Sequence, residues 1–308
     1  MNDIQGWINL YKPKDISSFG VIKKIKNKFQ IKKIGHAGTL DPLAEGILPI
    51  AIGQTTKLIM FIQNQIKEYE FEIKWGEQTS TDDKEGEIIN ISNNIPEVSQ
   101  IRKALKKFQG KIVQTPPKAS AVKINGVPAY KLFRSNVKFN IKEKYVYVHD
   151  LCFVESKNKF FTKLRIKCGK GFYVRSFARD LAELLGSKGH IYSLKRTKVG
   201  KFDIKNAILL DDLLKIRQMQ NGFREIHPSI SMLDDILAYE IDDENLIKNI
   251  SHGKSVKIDK NLFYQNSLNI EEGSLVFLTK NNEVLSYGKF DGNLFVPNKV
   301  LLKEIWCR

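Results

Sequence analysis

Residues 69 to 75 read YEFEIKW, apolar and charged side chains in strict alternation. That pattern predicts a half-buried strand, with Tyr69, Phe71, Ile73 and Trp75 on the covered face and Glu70, Glu72 and Lys74 on the other. The opening GWINLYKP reads as another strand, followed by a helix that Ser17 or Ser18 can cap. In it Val21, Ile22, Ile25 and Phe29 recur at helical spacing, and Lys23, Lys24, Lys26 and Lys28 take the opposite face. A second helix is predicted in PEVSQIRKALKKFQG, with Pro96 in its first turn, Val98, Ile101, Leu105 and Phe108 facing the core, and Gly110 as its stop. Pro116, Pro117 and Pro128 forbid a long helix in the next stretch, although PAYKLFRS has room for two turns. Two strand-like runs, KYVYVHDLCFV and KFFTKLRIKCGKG, lead into the helix YVRSFARDLAELLG. Its apolar stripe is Val174, Phe177, Ala178, Leu181, Leu184 and Leu185, Arg179 and Glu183 are spaced to pair, and Gly186 ends it.

The texture changes near residue 235. After the helical AILLDDLLKIRQMQNG, the last sixty or so residues become short strands separated by turns such as NN and DG. The expectation is therefore an α+β protein. Residues 1–235 should form a mixed or antiparallel sheet whose flanking helices enclose a cleft, and residues 236–308 a small C-terminal β module. No internal repeat or low-complexity tract interrupts this plan.

Composition narrows the partners. Lys and Arg number 50 against 34 Asp and Glu, a formal charge of +16 over 308 residues, which favours a polyanion through long-range attraction and counterion release. No apolar stretch of about 18 residues suggests membrane insertion, and the N-terminus has no basic segment leading into an apolar one, so a cytoplasmic location is expected. Cys152, Cys168 and Cys307 are odd in number and widely spaced, which argues against a disulfide framework or a zinc knuckle.

The chemically unusual stretch is GHAGTLDPLAEGILPIAIGQTTKL, residues 35 to 58. Gly35 and Gly38 permit close backbone approach, and Pro42 biases Asp41 towards an extended, turn-initiating conformation. A phosphate-binding loop needs a Gly-Lys-Ser/Thr ending, whereas Thr-Leu-Asp-Pro follows Gly38 here. A metal site fails because His36 and Asp41 have no ligand pair at coordinating spacing. A single carboxylate on a constrained loop remains, either as a turn residue or as a reacting group.

That stretch resembles the signature of the TruB family of tRNA pseudouridine synthases. The likeness extends to four further blocks in the family's order: GWINLYKPKDISSFGVIKKIK with its Lys12-Pro13 pair, KEYEFEIKWGEQTSTDDKEGE, QTPPKASAVKINGVPAY, and CGKGFYVRSFARDLAELLGSKGHIYSLKRTKVGKF. The resemblance implies isomerisation of uridine 55 in the T loop of tRNA, with no cofactor and no metal, by a chain expected to be monomeric. The family's C-terminal module is commonly related to the PUA fold.

By the same resemblance Asp41 falls on the catalytic aspartate, Arg175 on the arginine that holds it, and Tyr69 on the active-site tyrosine. Asp83 falls on the acidic-loop position paired with the arginine. His36 is implied as the group filling the space of the extruded base, and Leu194 as an apolar wall of its pocket. Lys12, Lys123 and the basic helix around Lys23 to Lys28 are candidates for phosphate contact. Glu45 stands where the family often has a small or hydroxylated residue, and is expected to face solvent or a lysine. A non-catalytic RNA-binding or tRNA-folding protein is the alternative, and the two readings separate on whether Asp41→Asn abolishes product while keeping binding.

Overall fold

The structure, a computed structural model, describes residues 4–219, 223–233, 237–258 and 271–301. Cys307 and the expected boundary at residue 235 lie outside them. The larger part is built on a mixed sheet of 11 strands among the described residues. Its main path runs Ile208–Leu209, Gly6–Lys12, Glu45–Ile52, Gly189–Val199, Lys67–Trp75, Phe161–Cys168, Lys144–Asn158 and Gly110–Gln114.

Most neighbours on this path are antiparallel. The seam between its halves is a short parallel pairing of Lys195 with Glu45 and Arg196 with Gly46. Gly46 has φ 107°, and a Cβ there would lie 2.1 Å from the Arg196 carbonyl oxygen, so only glycine lets the two halves meet.

Alternation assigns the faces as the sequence predicts. Ile8, Leu10, Leu48, Ile50, Tyr69, Phe71, Ile73 and Trp75 share one core with Val21 and Ile25 of the helix Ser18–Phe29, Ile101 of Val98–Leu105, and Phe177 and Leu181 of Val174–Leu184. Each fully buried side chain of this size contributes about 1.5–3 kcal/mol. The opposite face carries Trp7, Ile47, Ala51 and Val199, and these pack on Ala238, Phe277 and Leu301 of the C-terminal module. Trp7 Nε1 fixes the junction by donating to the Ser229 carbonyl at 3.0 Å. Among its described residues the module is a five-stranded sheet ordered Leu237–Glu240, Leu275–Lys280, Glu283–Asp291, Leu294–Val300 and Val256–Lys257.

Several local expectations change. Ser17, not Ser18, caps the first helix by accepting from the Gly20 amide, while the Ser18 hydroxyl turns inward. Val98 was expected in the core and is 39% exposed, because the helix starts at this residue, capped by a reciprocal Glu97–Gln100 box. The helix expected from residue 207 onwards shortens to Leu210–Lys215. A further helix, Glu244–Ser251, interrupts the β module. Asp243 caps it, and Ile247 and Ile250 anchor it in the module's own core. Cys152 and Cys168 are both free thiols.

Candidate active site

The loop bearing Asp41 is fastened on both sides. The strand Ile34–His36 pairs with the end of Glu45–Ile52, and the Ala37 amide donates to the Pro49 carbonyl at 2.9 Å. Leu40 is buried, and the Ser18 hydroxyl both donates to its carbonyl and accepts from its amide, at 2.9 and 2.8 Å. Leu43 and Ala44 are buried just beyond, and the Asp15 amide holds the Pro42 carbonyl at 2.9 Å. With apolar neighbours facing the core on either side, the Asp41 carboxylate stays 35% exposed.

Arg175 receives it. This residue lies in the first turn of Val174–Leu184, a helix entered through Tyr173, whose amide and carbonyl are both bound by the Gln114 side chain. A positive side chain opposes the helix dipole at that end, so it needs anionic partners. Its Nε lies 2.9 Å from Asp41 Oδ2, and its Nη1 lies 3.4 Å from Asp83 Oδ2. Nη1 also donates to the Thr81 carbonyl at 2.9 Å, and Nη2 to the Ala119 carbonyl at 3.0 Å. One buried guanidinium thus gathers the Asp41 loop, the acidic loop and the proline-containing segment. Burial pushes the Asp83 carboxyl up. The Thr81 hydroxyl at 2.6 Å, Arg175 and the Glu85 amide all oppose that shift by favouring the ion.

Tyr69 is buried on the strand Lys67–Trp75, in the same core cluster as Leu194, which pairs with Phe71 on the adjoining strand. Directly across from Tyr69 stands Arg196 on the adjoining strand. Burial pushes the Tyr69 phenol up and keeps it protonated, with Arg196 opposing. The Arg196 side chain also reaches the loop: Nε donates to the Ile47 carbonyl at 2.7 Å and Nη2 to the Gly38 carbonyl at 2.9 Å. Sequence reasoning missed this residue. Its signal was its place in the SLKRTKV strand, but nothing in that pattern names the strand opposite.

Lys12 corrects an expectation. It was assigned to phosphate contact, yet it is fully buried. Its ammonium donates to the carbonyls of Pro13, Ile16 and Pro42, at 2.8, 2.7 and 3.3 Å, which leaves no donor for RNA. Desolvation lowers its pKa to about 8, with Asp41 opposing. It staples the loop. Lys123 is exposed on a two-residue hairpin strand and is open to contact. His36 closes the short strand before the loop, with Nδ1 buried and without a protein partner. Burial first and Arg196 second hold it below its usual pKa, favouring the neutral ring. Glu45 accepts from the Tyr11 hydroxyl at 2.7 Å and lies 3.6 Å from Lys14, facing a lysine as expected.

The large mixed sheet that carries this carboxylate, arginine and tyrosine is a fold shared with solved structures. A solved structure, "Crystal Structure of a Cbf5-Nop10-Gar1 Complex", superposes on 98% of this chain and 86% of its own with a TM-score of 0.74 at 24% identity, a likeness of fold. A second, "Structure of H/ACA RNP bound to a substrate RNA containing 2'-deoxyuridine", gives a TM-score of 0.73 over 98% of this chain and 86% of that one, at 21% identity.

Within that class the sequence is more specific. Residues 26–174 match the TruB family pseudouridylate synthase N-terminal domain, and residues 175–238 match the tRNA pseudouridylate synthase B C-terminal domain. A tRNA pseudouridine synthase B of Ehrlichia ruminantium (strain Gardel) is 38% identical over 296 residues, covering 96% of this chain and 98% of the relative. One from Caulobacter sp. (strain K31) is 40% identical over 82% of this chain and 81% of its own. One from Wolbachia pipientis subsp. Culex pipiens (strain wPip) is 50% identical over 69% of this chain, which spans 60% of that relative. The chain belongs to the TruB family.

Proposed function

We infer that this chain is a tRNA pseudouridine synthase that converts the T-loop uridine, uridine 55, to pseudouridine, with Asp41 as the reacting carboxylate. The observation that carries the reading is the pairing of a solvent-accessible Asp41 with a buried Arg175 at 2.9 Å. The reaction breaks the C1'–N1 bond of uridine and forms a C1'–C5 bond, with no net oxidation and no group lost. An ionised carboxylate at C1' stabilises positive character on the sugar or bonds to it, as glycosidase carboxylates do. Uracil stays in the pocket, turns, and recombines through C5. The C5 proton is then lost and N1 takes one up, so the product is an isomer of the substrate.

Each neighbour supports one part of this. Arg175 fixes the orientation of the Asp41 carboxylate, and so the oxygen that faces the sugar, through the 2.9 Å contact. Tyr69 offers a ring face to the extruded base, and its protonated hydroxyl a hydrogen bond. Arg196 stands opposite Tyr69 on the adjoining strand. Leu194 adds an apolar wall, and the neutral His36 ring lies on the same loop as Asp41. Extrusion costs a few kcal/mol of unstacking, about the range for base flipping in general. The excess of cations supplies binding energy that offsets it.

The test is single-turnover conversion of a T-arm stem-loop by wild type and by Asp41→Asn, with binding measured in parallel. Product from wild type alone, with binding retained in the variant, is expected. Unchanged conversion by Asp41→Asn overturns the assignment of Asp41. No conversion by wild type, on the stem-loop or on full-length unmodified tRNA, favours the RNA-binding alternative.

A further inference from the structure

One helical turn beyond Arg175 lies Arg179, and it too is held by the acidic loop. Its Nη1 lies 2.9 Å from Asp82 Oδ2, and its Nη2 donates to the Thr115 carbonyl at 2.9 Å. Arg175 meanwhile takes Asp83 from the same loop and the Ala119 carbonyl from the same proline-containing segment. The helix therefore grips both segments through two rungs. Residues four apart on a helix share a face and lie about 6 Å apart along its axis.

Two adjacent aspartates reach two arginines so spaced because Asp82 has φ 61°. The left-handed turn sends the side chains of Asp82 and Asp83 in different directions. The strand Gly189–Val199 pins the corner, since the Ile191 amide donates to the Asp82 carbonyl at 3.1 Å and the Lys84 amide to the Ile191 carbonyl at 2.9 Å. The Ser176 hydroxyl shares the Thr115 carbonyl at 2.7 Å.

We propose that the Asp82–Arg179 pair is a positioning device for the reaction: it sets the rotation and height of the helix over the acidic loop, and so the aim of Arg175 at Asp41. Without that second rung, Arg175 is a single pivot between two carboxylates and two carbonyls. Sub-ångström placement of a catalytic partner is worth large factors in rate. The pair is poorly explained as a source of stability. Burial lifts the Asp82 carboxyl to about 6 even with Arg179, Arg175 and their hydrogen bond opposing, so the ionised pair is held at a cost.

The proposal rests on the synthase reading, and two measurements keep their failures apart. Asp82→Asn suits the left-handed turn and preserves size while removing the charge. Single-turnover conversion by this variant is expected to fall about tenfold or more at a temperature well below its melting point, with T-arm binding within about threefold of wild type. That is about 1.4 kcal/mol per tenfold at the transition state. In an Asp83→Asn background the same change should cost less than about twofold, because both act through Arg175. A wild-type rate in Asp82→Asn, or losses that multiply in full, overturns the proposal. The second measurement needs no product: hydrogen exchange at Arg175 Nε, followed by NMR in arginine-labelled protein. Exchange about tenfold faster in Asp82→Asn is expected, and unchanged protection overturns the proposal even if the wild type converts no RNA.

Discussion

Replacing Arg175 by Gln removes four polar contacts at once, and they are unequal. The Asp41 contact at 2.9 Å involves a carboxylate 35% exposed, so its loss matters little for stability, as for other exposed pairs worth about 0–1 kcal/mol. The Asp83 contact differs. That carboxylate is 4% exposed, and without the guanidinium it keeps only the Thr81 hydroxyl and the Glu85 amide. Breaking a buried ion pair from one side costs about 3–5 kcal/mol, chiefly for the charge left behind. At about 2–4 °C per kcal/mol for a domain of this size, the melting temperature should drop by on the order of 10 °C.

If the orphaned charge is the cause, removing it must restore stability. Adding Asp83→Asn to Arg175→Gln should recover about 2 kcal/mol, because a neutral amide is far less costly to bury than an unpaired carboxylate. Activity should not return. Asp41 still lacks its aiming partner, and conversion should remain about a hundredfold or more below wild type in both variants. Urea unfolding and single-turnover conversion on the same preparations read the two outcomes. A double variant no more stable than Arg175→Gln would refute the claim that Asp83 is an ion held by Arg175.

Three further outcomes follow from the geometry. Gly46→Ala should lower stability by more than about 2 kcal/mol by urea unfolding, since its Cβ would collide with the Arg196 carbonyl at 2.1 Å in a left-handed backbone. Tyr69→Phe keeps the stacking surface but removes the buried hydroxyl that faces the reacting base. A fall in single-turnover rate, with T-arm binding kept, is expected. For Lys12, whose folded pKa is lowered to about 8, the unfolded state binds more protons between that value and its ordinary 10.5. Its contribution to stability must therefore rise with pH across that window, so the stability gap between wild type and Lys12→Met should be larger at high pH than at pH 7.

How far the site could be read from sequence depended on the kind of constraint. Alternation in residues 69 to 75 placed Tyr69 on the buried face, because side-chain direction in a strand has a fixed period. The Arg175 position was legible as a positive charge at the wrong end of a helix. Asp41 stood out because Pro42 restricts its backbone and Gly35 and Gly38 let the loop approach closely. Lys12 was misread because composition treats every lysine alike, and only three-dimensional packing shows that this one is enclosed by carbonyls. Arg179 was matched to Glu183 by helical spacing, yet its partners are Asp82 and Asp180. The contact with Asp82, 97 positions away, forms because the acidic loop covers the helix, and spacing rules see only neighbours on one element.

The residue sequence could least have supplied, Arg196, shows why register carries so much of the site. It occupies two pairings together, antiparallel with Tyr69 on one side and parallel with Gly46 on the other. Its main chain pairs with Tyr69 and closes the seam of the sheet, and its side chain binds the carbonyls of Gly38 and Ile47 that bracket Asp41. A slip of one residue in either pairing would reverse its face and separate the tyrosine from the Asp41 loop. Periodicity fixes which face a strand buries, but not which residue stands opposite which. The distance between the Asp41 loop and Tyr69 is therefore set by the joining of two half-sheets whose segments are far apart in sequence. A change that loosens this seam should lose activity before it loses secondary structure, because the two halves retain their own hairpins while the arginine linking them is displaced.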